Sequence, residues 1–187
     1  MGASDMGVWA ALGAAALLVF WLLGAYNRLV ALRNGIGSAW LQVAAALALR
    51  AQTALPLVQT LRQPLQAEAS ALDTFASANS AAAAAAAVLA ARPVAAVSAT
   101  AAWVQAEAAL AISASRLLAL MEQHAELQAS AEVTELLVTW RDAHTQLSFA
   151  RRLFDAAAAA YNTAVDQPPT RWLLPLFGFA RAGLLGP

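Results

Sequence analysis

The residues with the widest chemical range in this chain are its two histidines, His124 and His144, and its eleven acids. A histidine becomes a metal ligand or a general base when another histidine, a cysteine or a carboxylate stands at a fixed spacing from it. Neither histidine sits in such a motif: there is no H-E-x-x-H, no G-x-S-x-G elbow and no glycine-rich phosphate loop. His124, between Glu122 and Glu126, reads as a solvated helix end. Cysteine is absent, which removes disulfides, thiolate nucleophiles and Cys-based metal sites. The expectation is a protein without catalytic residues, metal or cofactor.

A second group of polar residues bears on position rather than reaction. Asn27, Arg33, Asn34, Glu107, His144 and Arg151 fall near the apolar seams of predicted helices. If Arg33 and Arg151 are inside, they need partners, because an unpaired buried charge is strongly destabilising. Glu107 and helix-end groups are the candidates, and such pairs would fix register. The alternative places both arginines on solvated flanks. Elsewhere Glu122, Glu126, Glu132 and Glu135 bracket a predicted turn and form a candidate partner-facing tip. All eleven basic residues are arginine and balance the eleven acids, so no excess positive charge is available for a nucleic-acid partner.

These residues must be held by helices, since Val, Ile and Thr are sparse and Gly and Pro are confined to a few places. Residues 1–5 form a short tail. Residues 6–26 carry no charge and, at about 1.5 Å of rise each, span roughly the hydrocarbon core of a bilayer. Their length and the absence of Lys or Arg before them favour an uncleaved anchor over a signal peptide. Arg28 and Arg33 follow the span, and the positive-inside rule then puts the N-terminus outside and the body in the cytoplasm.

Residues 27–166 read as four helices continuing from that anchor. The first carries Tyr26, Leu29, Arg33, Ile36, Trp40, Val43 and Leu47 at spacings of three and four, and its signals run to Ala54. Gly35 and Gly37 within it imply either close helix approach or a bend. Pro56 marks the expected start of the second helix, Pro64 an irregular opening to it, and the pattern is helical from Gln66 to Ala91. The uncharged stretch from Thr74 to Ala91 is too alanine-rich to favour a second span.

Arg92-Pro93 breaks the pattern, and a third helix follows over residues 95–124, with Trp103, Ala106, Leu110, Ser113, Leu117, Leu120 and His124 on its seam. Ser130 is the expected cap of the fourth. Along that helix the large residues Trp140, Leu147, Phe154 and Tyr161 alternate with Ala143, Ala150, Ala157 and Ala164, a pattern suited to close antiparallel packing. The fold class is all-α: an N-terminal transmembrane helix continuing into an antiparallel four-helix bundle. Residues 167–187 form an apolar tail. Its Arg171, Trp172, Phe177, Phe179 and Arg181 belong either at the headgroup level of the membrane or folded over the end of the bundle.

Several local motifs resemble those of the LemA family. They are Tyr26-Asn27-x-Leu29-Val30-x-Leu32-Arg33-Asn34 with Ala39-Trp40, Leu55-Pro56-x-Val58-x-Thr60, Glu107-x-x-Leu110, the stretch from Leu117 to Glu122, Phe149-Ala150-Arg151-Arg152, Tyr161-Asn162-Thr163 and Gly178-Phe179. The resemblance covers Tyr26 to about Phe179. It departs at Val43-Ala44-Ala45-Ala46-Leu47, where the family is more charged, at His144 in place of an acid, and at Phe154-Asp155 in place of Tyr-Asn. The resemblance implies a membrane tether, an antiparallel helical domain and a single-pass protein of the bacterial inner membrane, without catalytic residues.

Two functional classes follow. One is a membrane-anchored scaffold or adaptor whose partners are the lipid bilayer and unidentified proteins, a second copy of itself among them. The other is a sensing module that binds a small ligand inside the bundle. Alanine-rich seams leave little spare volume and favour the first.

Overall fold

The computed structural model describes residues 3–91, 97–171 and 178–186. Five helices follow one another: α1 (Ala3–Leu61), α2 (Ala69–Ala90), α3 (Val97–Met121), the short α4 (Ala125–Ala129) and α5 (Ala131–Asp166). Among the described residues there is no strand. The four long helices alternate in direction. Thr60 beside Glu132 and His124 beside Glu68 place the α1–α2 and α3–α5 turns at one end, and Tyr26 against Phe179 marks the other. The fold is the expected antiparallel bundle, with α1 packed chiefly on α5 and α3 chiefly on α2.

The 59 residues of α1 reach about 88 Å at about 1.5 Å per residue. Its first part carries Val8, Trp9, Leu12, Leu17, Leu18, Val19, Phe20, Trp21 and Leu23 on an open surface. That part is long and apolar enough to cross a membrane. Bundle packing begins at Tyr26, half-buried against Phe179, and by Leu29 the helix is fully buried on its inward face. α3 is also long and apolar enough, but its inward face is packed in the bundle, as in any core helix. α2 buries Ala71, Leu72, Phe75, Ala82, Ala86 and Leu89 and exposes its opposite face, so it too is a bundle helix.

One boundary differs from the sequence expectation. Pro56 does not start a second helix; it lies inside α1, which continues to Leu61. Proline removes the bond to the carbonyl four residues back, here Gln52, and both Gln52 and Pro56 face solvent, where water can take that carbonyl. The inward residues Ala54, Leu57, Val58 and Leu61 are buried and hold the helix on course. Pro64 lies in the turn before α2, which opens at Ala69 rather than Gln66. Gly35 and Gly37 have nothing near the place a Cβ would occupy, so close helix approach does not explain them. Ser130 caps α5 as expected, accepting a hydrogen bond from the Val133 N–H. The break at Arg92-Pro93, and Trp172 and Phe177 of the tail, fall outside the described residues.

The apolar interior divides in two. Nearer the N-terminal extension, Leu29, Ile36, Val43, Leu47, Trp103, Leu147, Phe154 and Tyr161 pack together. Nearer the turns, Leu57, Leu61, Phe75, Leu110, Leu117, Met121 and Trp140 form a second group. On α5 the seam drifts: Ala158 is fully buried where a strict heptad favours Ala157. An α-helix turns every 3.6 residues, so a 3.5-residue repeat slips along a long helix.

The two inner helices stop short. α2, with 22 residues, covers about 33 Å, whereas α5 with 36 covers about 54 Å. The overhang of α1 and α5 is covered by residues 178–186, whose Phe179, Ala182 and Leu185 enter the first apolar group. The described tail therefore folds onto the bundle, the second of the two courses open to it.

Candidate functional site

The polar layer between the two apolar groups is the most unusual feature of the interior. Arg50 continues the α1 seam beyond Leu47 and is 2 % exposed; Glu107, one turn after Trp103 on α3, is 7 % exposed. Their side chains meet across the bundle in a two-pronged pair: Arg50 Nη1 donates to Glu107 Oε2 at 2.7 Å, and Nη2 to Oε1 at 2.6 Å. A guanidinium is suited to this because its planar fork matches both carboxylate oxygens. Arg50 Nε and the indole N–H of Trp103 lie buried near this level without a hydrogen-bond partner among the described residues.

Glu107 is buried and paired, as the sequence allows, but its partner is Arg50. Neither Arg33 nor Arg151 takes the place that Arg50 holds. The signal was present: the spacing Val43, Leu47, Arg50, Ala54, Leu57 keeps the same rhythm of three and four, but a helix expected to end at Ala54 hid it.

Arg151 is half-buried on α5, with its guanidinium carbon 4.9 Å from the centre of the Trp103 ring. Its Nη2 donates to the Leu185 carbonyl at 2.9 Å. Burial pushes this group down from its ordinary value while Glu107 and Asp155 pull it back up. It remains a cation, as guanidinium does in proteins. His144, expected among the buried register residues, is exposed, and its ring stacks on Trp140 with centres 5.8 Å apart. Burial and the nearby Arg50 hold its pKa below the usual histidine value, against the opposite pull of Glu107.

Asn27 and Asn34 are exposed rather than buried register residues, and the Asn34 carbonyl accepts from the Ser38 hydroxyl. Arg33 is half-buried near Tyr161, whose pKa it lowers against the larger upward push of burial. The layer can hold helices in register and discriminate charge. Among the described residues no group of three or more His, Asp or Glu side chains is placed to hold a metal ion.

At the far end, Glu122, Glu126, Glu132 and Glu135 are all exposed around α4. His124 Nδ1 lies 3.1 Å from Glu126 Oε1, and its Nε2 lies 3.9 Å from Glu68. The backbone and His124 bonds lower the Glu126 pKa. Glu68 is a member of this cluster that the sequence reading missed, since it lies in the other turn. Of the tail residues, Arg171 is exposed, Arg181 pairs with Asp166 at 3.3 Å, and Phe179 is in the core against Tyr26 rather than at a surface.

Fold and site together define a class: an antiparallel helical bundle, split by a central ion pair, on a long apolar N-terminal helix. The chain belongs to the LemA family, whose model matches residues 39–185. The match begins after the Tyr26 motif and runs past Phe179 into the tail. No match was found among curated proteins.

Proposed function

We propose that this protein is a non-enzymatic adaptor of the bacterial inner membrane, with its N-terminus outside and its bundle in the cytoplasm. The observation that carries this reading is the continuity of α1: one helix is open and apolar at its start and forms a wall of the bundle at its end. A body mounted this way stands upright from the bilayer. Its acidic turns are then carried about 50 Å from the membrane surface, as the length from Tyr26 to Leu61 requires.

The surface also carries exposed apolar side chains suited to protein contact. Phe149 borders an open groove of about 670 Å³ between α1 and α5, lined by Ala45, Leu49 and Gln146 among others, and Leu41 is exposed nearby. The interior favours this over the ligand-sensing reading, since large residues and alanine fill it on both sides of the Arg50–Glu107 layer.

A photo-crosslinking residue at Glu126 in the full chain, activated in cells and followed by mass spectrometry, tests the reading. A specific foreign protein adduct is expected. Recovery of self-adducts alone would replace the adaptor with a homo-oligomer.

A further inference from the structure

The C-terminal segment is held in a way that packing alone does not require. Tyr161 donates from its hydroxyl to the Ala180 carbonyl at 3.0 Å. Asn162 grips Ala182 on both sides, its Nδ2 donating to the carbonyl at 2.9 Å and its Oδ1 accepting from the N–H at 2.8 Å. Asp155 accepts from the Leu185 N–H at 2.6 Å, and Arg151 donates to the Leu185 carbonyl at 2.9 Å. Each of these bonds joins a side chain of α5 to the main chain of the tail. Contacts of this kind recognise an extended peptide whatever its side chains.

The side chains are selected separately. Phe179, Ala182 and Leu185, three residues apart, are buried together with Gly183, while Ala180, Arg181 and Leu184 stay exposed. A three-residue repeat is the period of a polyproline-type extended chain. The travel agrees: from Ala180 to Leu185 the partners on α5 move from Tyr161 to Arg151, about 15 Å of helix, matched by about 3 Å per tail residue. Gly183 lies flush on α3, where a Cβ would run into the Thr100 hydroxyl. The seam itself is framed without the tail, because α5 is held by α1 and α3 by α2. A further groove of about 450 Å³ runs beside the tail between Thr100, Val104, Asn162 and Leu184.

We propose that the α3–α5 seam is a peptide-recognition groove, filled here by the chain's own C-terminus. Its partner in trans is an extended apolar segment with a large residue, a small residue followed by glycine, and a leucine at three-residue spacing. The tail then acts as a built-in competitor that a partner segment must displace. This deepens the adaptor reading by naming a surface and a class of partner.

The test uses the purified full chain with Gly183→Val, which blocks the tail while leaving the groove side chains intact. The probe is a fluorescein-labelled peptide with the sequence of residues 178–187, followed by anisotropy. Saturable binding is expected, with affinity at least about tenfold lower for the unmodified chain, whose tethered tail competes at high effective concentration. Adding Asn162→Leu should weaken binding to the variant by about tenfold or more, and a peptide carrying valine at the position of Gly183 should not bind. A variant that keeps its helical circular dichroism yet ignores the peptide, or accepts the valine peptide equally, overturns the groove. If Gly183→Val loses its helical signal, Leu185→Ser supplies the same comparison. Failure here leaves the crosslinking result at Glu126 untouched, and failure there leaves this one standing.

Discussion

At the level of single residues, the Arg50–Glu107 pair is a buried ion pair that joins α1 to α3 between the two apolar groups. Removing one member strands a charge between two apolar groups, so Arg50→Met should destabilise the protein by about 3–5 kcal/mol in denaturant unfolding. The double variant Arg50→Met/Glu107→Leu should recover most of that loss, because two well-packed apolar side chains carry no desolvation penalty. Equal loss in the single and double variants would show that packing, not charge, is the sensitive quantity. His144 gives a separate pH signature. Its folded pKa is depressed, so the unfolded chain binds more protons below the usual histidine value, and stability falls as pH drops through that region. His144→Gln should flatten the stability profile between about pH 7 and pH 5, measured by thermal unfolding.

At the level of helices, α1 shows both what could be read in advance and what could not. The rhythm from Leu29 to Leu47 and the matching pattern on α5 were legible because apolar periodicity is local. Pro56 misled because a proline's effect depends on which face it occupies, and that face is known only once the partners are in place. The same error concealed Arg50, since a residue near an assumed helix end draws no seam argument. The tail was ambiguous for a different reason. Whether an apolar segment meets lipid or protein depends on the space left by α2 and α3, which is a matter of helix lengths across the whole fold. Gly37 follows from the corrected helix: exposed, helical and with open space at its Cβ position, it should accept alanine with a gain of up to about 1 kcal/mol. A loss of stability in Gly37→Ala would mean that α1 bends or meets a partner there.

At the level of the molecule, α1 and α5 extend beyond the two shorter helices. The apolar start of α1, the tail returning beside Tyr26 and the acidic turns at the opposite end lie along a single axis. In the proposed adaptor, that arrangement puts the tail-filled α3–α5 seam and the acidic turns at opposite ends of the bundle. The account rests on the bundle standing in the cytoplasm, and sidedness is the most direct measure of it. A single cysteine, Ala129→Cys, placed in the exposed turn of this cysteine-free chain, can be probed with a membrane-impermeant thiol reagent. The account predicts protection in intact cells and full labelling after the inner membrane is permeabilised. Ready labelling in intact cells would contradict it.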